Sequence, residues 1–255
     1  MNSKISIINV VNYAQRPDLI EECEQFLDRL WPPFMSQSAV SDEYWERLDE
    51  QPNNQFQFIA TVNEKATERV IGIIRSVPFL WPYGDFAKLV EMGWDDIFNF
   101  AMENQHDGEP YISALSVTVD PQYRGQQIPA LLIEALKQAA KEYGAKAMIV
   151  PVRPTLKHRY PLQDFDEYCA WKNAQGEPFD PWIRTHWRLG ATVLQSVHRS
   201  MVITGSITDW QSWTGMSFPQ SGKYIIPNAL VPVTVDVPHQ KVEYIEPNLW
   251  MLHAL

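Results

Sequence analysis

Apolar positions in this chain recur with a period of two in some stretches and near 3.6 in others, and the switches between them mark out elements. Ser6 to Val11 reads as a short strand. Leu19, Cys23, Phe26, Leu27 and Leu30 fall at helical spacing over Pro17 to Leu30, with Asp18 in the first turn. "SDEYWERL" predicts a second helix, with Ser41 as N-cap and Tyr44, Trp45 and Leu48 on one face. "QFQFIATV" alternates Phe56, Phe58 and Ala60, and "VIGIIRSV" follows a polar loop at Asn63 to Arg69, so the two read as a hairpin.

Residues 78–110 read as irregular and acidic apart from one helical piece around Trp94 to Met102, and "VPFLWPYGDF", which overlaps their start, reads as a cover over a cleft. "YISALSVTV" is strongly β. The chain then stops at Pro121, turns through Arg124 and Gly125, and continues as a helix. Its stripe is Ile128, Leu131, Leu132, Ala135, Leu136, Ala139 and Tyr143, and Gly144 ends it. "AKAMIVPV" is the next strand, and strand–helix–strand here predicts a right-handed parallel crossover. A long insertion, Arg153 to Pro181, leads to the short helix "PWIRTHWRLGA", closed by Gly190, and to the long strand "TVLQSVHRSMVITG". No repeat or linker interrupts residues 1–255. The expectation is a single α/β domain with a core over about 5–204 and a C-terminal elaboration over 205–255.

Composition changes this picture little, since 45% hydrophobic and 20% charged residues are ordinary for a globular protein. No run of eighteen apolar residues exists and "MNSKISIINV" lacks a signal-peptide core, which points to a cytoplasmic protein without a membrane partner. Cys23 and Cys169 suit reduced thiols better than a disulfide or metal knuckle, and no metal site is expected. The net charge of −10 argues against nucleic acid. The charge is uneven: Asp85 to Glu109 holds seven acids and one lysine, whereas Pro151 to Tyr160 holds three full positive charges and no acid. A basic locus on an acidic chain fits a small anionic ligand, or a solvated turn paired with local carboxylates.

The turn before the long helix carries the sharpest chemistry. A strand that ends in a glycine turn and opens a helix aims backbone N–H groups and the helix dipole at one spot, which suits a pyrophosphate. Neither the P-loop nor the three-glycine dinucleotide spacing is present. "QYRGQQ" resembles instead the Q/R-x-x-G-x-G/A motif of the GCN5-related N-acetyltransferases, the GNAT superfamily. Gln122 and Gly125 hold the first and fourth positions, Gln127 stands where that family has Gly or Ala, and Pro129 lacks an N–H. The bland alternative is a capped surface helix.

The resemblance implies the GNAT acyl-CoA fold, a mixed twisted sheet with splayed central parallel strands and helices on both faces. It implies a coenzyme A thioester, acetyl-CoA or malonyl-CoA, held by Val117, Thr118, Val119, Gln122, Arg124, Gly125, Gln126 and Gln127, with Ser116 also along the pantetheine arm. "HWRLGA" puts His186 where the family commonly has a Tyr, and an imidazole there can donate a hydrogen bond or proton to a thioester oxygen. Its alternative is a packed histidine beside Trp182 and Trp187.

"PVRPTLKHRYPL", "GEPFDPWIRTHWRLGA", "WTGMSFP" and "IEPNLW" narrow the resemblance to the GNAT-like domains of polyketide synthase loading modules and their free-standing relatives. That branch implies malonyl-CoA decarboxylation, acetyl transfer to the thiol of an acyl carrier protein, or both, with Thr155 and His186 as catalytic pair. Donors aimed at the enolate oxygen would stabilise that transition state. Arg153 and Arg199, with Lys157, Arg159 and Arg184, are candidates for a substrate carboxylate, a phosphate or a carrier protein, or else for structural ion pairs. Two other readings stay open: an N-acetyltransferase acting on an amine, for which the acid-rich 85–109 segment could attract a cation, and a non-catalytic acyl-CoA-binding module.

Overall fold

A computed structural model describes residues 8–64, 67–84, 88, 91–103 and 107–255. Strand β1 (Ile8–Asn12) leads through a 3-10 turn at Pro17–Leu19 into helix α1 (Ile20–Leu30), and α2 (Ala39–Tyr44) follows. The N-cap of α2 is Ser38, three residues before the expected Ser41, which lies buried inside the helix. Ser38 spends its hydroxyl elsewhere, donating to Asp95 at 3.1 Å.

Strands β2 (Phe58–Glu64) and β3 (Thr67–Trp81) form the expected hairpin. β3 runs through Pro78 to Trp81, so the first half of the presumed cover is strand. Proline is tolerated there because β2 has left β3 beyond Ile74, and only β4 remains beside it. Residues 85–86 of the presumed cover lie outside the described set. Helix α3 (Trp94–Glu103), β4 (Glu109–Val119), α4 (Ile128–Tyr143) and β5 (Ala147–Val152) come next, and β4 and β5 are parallel. Helices α5 (Phe165–Ala170) and α6 (Pro181–Arg188) precede β6 (Thr192–Ser206).

Helix α4 is rotated from the predicted stripe. Ile128, Leu132, Ile133, Leu136 and Ala140 are buried, while Leu131 and Tyr143 are 42% and 41% exposed. Two adjacent apolar rows satisfy the same helical period, and the sheet selects one of them. Gly72 on β3 permits the close approach, since a Cβ there would stand 2.8 Å from Ile128 Cγ2.

The largest departure lies at the C-terminus. After α7 (Ile207–Thr214), β7 (Gly222–Tyr224) and β8 (Val233–Asp236), the chain closes with β9, Lys241–Ala254. The strands follow the order β1-β2-β3-β4-β5-β9-β8-β7, with β6 also paired to β9. The segment expected to be elaboration thus supplies the strand at the middle of the sheet's second half. On one edge β9 meets β6. On the other it meets β5 over Leu249–Ala254 and β8 over Lys241–Glu243, which leaves Tyr244–Asn248 without either. Helices α4 and α6 pack with Phe165 of α5 on one face of the sheet, and α1, α2, α3 and α7 cover the other. Among the described residues no helix is long and apolar enough to cross a membrane.

Candidate acyl-carrier site

Strands β4 and β5 pair only at Ile112↔Met148 and Ser113↔Ile149. Beyond that point β4 continues for six residues and β5 for three with no ladder between them. A bulge sets the direction: Arg75 faces Ser116 and Ser76 faces Ala114, so Leu115 is the extra residue. Its carbonyl is satisfied by Trp94 Nε1 at 2.9 Å. After the bulge the alternation reverses. Val117 and Val119 pack toward the α4 core, while the Thr118 hydroxyl accepts from Trp31 Nε1 at 2.8 Å on the α1 side. Ser116 Oγ is buried and unpartnered. An extended chain carrying amides could lie along this open edge.

At the top of β4, Asp120 donates its N–H to the Ile71 carbonyl and accepts the Gln122 N–H on its side chain, which starts the turn. The buried Tyr123 hydroxyl holds the turn down through Glu64. Gly125 and Gln127 both take left-handed backbone angles, φ +80 and +59. The N–H groups of Gln127, Ile128 and Ala130 have no partner among the described residues, and Pro129 has none to offer. Gln122, Arg124, Gly125, Gln126 and Gln127 are exposed around these amides, at the positive end of a sixteen-residue helix.

Away from the turn the polar groups are side chains, and they are buried. Asp180, 1% exposed, N-caps α6 by accepting from Trp182 and Ile183. It also takes the N–H groups of Thr155 and Leu156 and the hydroxyl of Tyr168. The exposed Thr155 is therefore tied to the start of the helix that carries His186, but no hydrogen bond joins the two residues. His186 is fully buried beneath Trp182, at 4.3 Å between ring centroids, and its Nδ1 lies 2.9 Å from His253 Nε2. Burial, and then the His253 ring, push its pKa down to about 3, so the imidazole is neutral at ordinary pH.

Three of the basic candidates are absorbed by the fold. Arg153 Nε sits 2.9 Å from Glu246 Oε2, and its Nη2 reaches the Asn228 carbonyl. Lys157 is fully buried and donates to the carbonyls of Tyr160 and Leu230, and Arg184 donates to Pro178 and Phe179. Arg159 is exposed, and Arg199 is exposed on the stretch of β6 that bulges between Val197 and Met201.

The sequence reading missed the groups that organise this half. Glu246 also accepts from Tyr244 and Asn248, and Asn248 in turn accepts from Ser200, whose hydroxyl receives the Trp94 N–H. Asp95 bridges Ser38 and the Val202 N–H, and burial pushes its pKa up to about 6. An acid-rich helix N-terminus was the only signal for Asp95. His253, Glu246 and Asn248 all stand on the unpredicted β9.

The sheet is parted at its central parallel pair, with an amide-lined turn at the end of β4, as the resemblance to the GNAT fold implies. Residues 21–162 match the acetyltransferase (GNAT) family, and the chain belongs to that family. It is 32% identical over 270 residues to arginine N-acetyltransferase avaD of Aspergillus versicolor, covering 95% of this chain and 92% of that protein. Among solved structures it is similar to the loading GNATL domain of CurA from Lyngbya majuscula, with a TM-score of 0.61, 16% identity, and 97% and 98% of the two chains covered. It is similar also to the GphF GNAT-like decarboxylase in complex with isobutyryl-CoA, with a TM-score of 0.57, 16% identity and the same coverage. At that identity the two structures speak for the fold.

Proposed function

We propose that the protein is an acyl-CoA-dependent N-acyltransferase whose acceptor is a small cationic nitrogen compound of the arginine type. The observation that carries this is the 32% identity to an arginine N-acetyltransferase over nearly the whole of both chains. The physical setting agrees with it. The pyrophosphate would sit on the free amides of Gln127 and Ile128 with Gln122, Arg124, Gly125 and Gln126 around it, and the pantetheine arm along Val117, Thr118 and Val119. A thioester carbonyl at the parted edge could take a backbone N–H, which stabilises the oxyanion formed on attack. The acceptor must lose a proton before it attacks. Asp95, with its proton affinity raised by burial, is the first carboxylate to test as the base. A net charge of −10 favours a cationic acceptor.

A second reading, malonyl-CoA decarboxylation with or without acetyl transfer to a carrier thiol, draws on one observation. The Thr155 segment and the His186 helix are anchored on the same carboxylate, Asp180.

One incubation separates the readings. Purified protein is given acetyl-CoA or malonyl-CoA with L-arginine, with L-glutamine as neutral control, and products are followed by thiol release and mass spectrometry. Acetylarginine formed from acetyl-CoA, and absent with glutamine, is the expected result. Acetyl-CoA formed from malonyl-CoA without any acceptor would replace the first reading by the second, and turnover of neither thioester would end both.

A further inference from the structure

The fold takes up two of the three nitrogens of the Arg153 guanidinium and leaves the third. Nε donates to both oxygens of Glu246, at 3.0 and 2.9 Å, and Nη2 donates to the Asn228 carbonyl at 2.6 Å. Nη1 meets no acceptor among the described residues, and the side chain is 31% exposed. Glu246, 1% exposed, also receives the Tyr244 hydroxyl at 2.6 Å and the Asn248 amide, so its charge is shared among three side chains. A guanidinium gripped from its Nε side keeps Nη1, with two N–H donors, for a further anion.

Arg153 stands at the parting of the sheet. β5 runs without a ladder to β4 from Val150 to Val152, and Arg153 is the next residue. Val150, Val152, Leu249 and Met251 fill the α4 face there, so an acceptor meets a thioester between the strands from the other face. Arg153 reaches toward that other face, because Glu246 and Asn248 alternate with Leu249 and Met251 along β9. Asp95 is on it too: it holds the Val202 N–H, and Met201, next to Val202, pairs with Glu246. One side of the parting therefore presents both a cation and a carboxylate. A ligand that answers both carries a carboxylate and a cationic nitrogen, as an amino acid does and a simple amine does not.

We infer that Arg153 selects the acceptor by its carboxylate: Nη1 binds that group, and the protein takes an amino acid in preference to the amine that lacks it. The inference rests on the N-acyltransferase reading and narrows it. Glu246 is then a positioning residue, which holds the guanidinium by Nε and leaves Nη1 for the acceptor.

The test compares L-arginine with L-argininamide, which has no carboxylate charge, and with agmatine, which has no carboxyl group. At saturating acetyl-CoA the KM for either analogue should exceed that for L-arginine by about tenfold to a hundredfold, the worth of a hydrogen bond to a charged group. Two variants trace the preference to Arg153. Arg153→Lys supplies Glu246 with a cation but has no second nitrogen to offer. The pair Arg153→Gln with Glu246→Gln leaves no buried charge unpaired. In each, the KM for L-arginine rises toward that for argininamide, while the KM for argininamide stays within about twofold of wild type. A merely structural role would move all three acceptors alike. If either variant fails to fold, the other decides. Equal KM values for L-arginine and argininamide in the wild type, or a preference that survives in a folded variant, overturn the inference, and acetylation of both compounds would still uphold the proposed function. If no acceptor is acetylated, the proposed function fails, and calorimetry on the protein loaded with coenzyme A decides the carboxylate site. L-arginine binding more tightly than argininamide, with the difference lost in Arg153→Lys, upholds it, and equal or absent binding overturns it.

Discussion

Where the Asp120–Gln127 turn opens helix α4, the backbone amides of Gln127, Ile128 and Ala130 have no partner among the described residues. At Asp180 one buried carboxylate collects five donors, from Thr155, Leu156, Trp182, Ile183 and Tyr168. The first region keeps amide donors in reserve, as helix N-termini do. The second is complete in itself, and the Arg153–Glu246–Asn248–Ser200 chain beside it is closed except at Arg153 Nη1. On the proposed reading the two halves do different work: the turn would bind the anion, and the network would fix the walls against which it is held. Substitutions in the network should therefore be read in stability, and those in the turn in affinity.

The largest effect expected from this contrast is in Asp180→Ala. Five donors lose their acceptor at once, α6 loses its N-cap, and the Thr155 segment comes loose. A loss of about 3–5 kcal/mol is expected in urea denaturation, because stranded buried donors cost far more than the net value of the bonds they made. A loss below about 1 kcal/mol would mean that water replaces the carboxylate freely, and that the region is as open as the turn.

Acid titration comes next in size. The folded values are about 3 for His186 and about 4 for His253, against 6.5 for a free imidazole. Between these limits the unfolded chain binds protons that the folded chain refuses, so stability rises with pH. Each ring contributes about 1.4 kcal/mol per pH unit within its window. Asp95 acts in reverse. Its folded value near 6 lies above the ordinary 3.8, so the folded chain holds the extra proton and stability falls as pH rises between them. Urea midpoints taken through this range should rise more steeply with pH in Asp95→Asn than in the wild type.

How much of each half was legible follows the same division. A turn that ends a strand and starts a helix is built from contiguous residues, so Gly125 and the first turn of α4 stand out in eight letters of sequence. The network is assembled from the loop after β5, α5, the start of α6, β6 and β9, and no local pattern announces it. β9 was missed for a physical reason: from Glu246 to Met251 every residue is buried, so polar and apolar positions do not alternate, and Pro247 interrupts the run. Glu246, Asn248 and His253 were lost with it. His186 was found by its spacing from Gly190, but its ring partner, His253, stands sixty-seven positions away.

The smallest effect tests the turn itself, through a pair of exchanges. Gly125→Ala places a Cβ in open space at φ +80, so its cost is backbone strain alone, about 1 kcal/mol. Gln127→Gly relieves similar strain at φ +59, but glycine also gives the unfolded chain more freedom, so its net gain is under about 1 kcal/mol. These stabilities say little about a ligand. Coenzyme A binding, measured by calorimetry, says more. Gln127 carries a free amide and Gly125 lies two residues before it, so if the turn holds a pyrophosphate, Gly125→Ala weakens binding by more than its stability change explains. Gln127→Gly, which removes a side chain from the turn and keeps every amide, leaves binding equal or tighter. Equal affinity in wild type and Gly125→Ala would place the phosphates elsewhere. Weaker binding in Gln127→Gly would show instead that the glutamine amide is a ligand contact, and that this turn recognises its anion partly through a side chain.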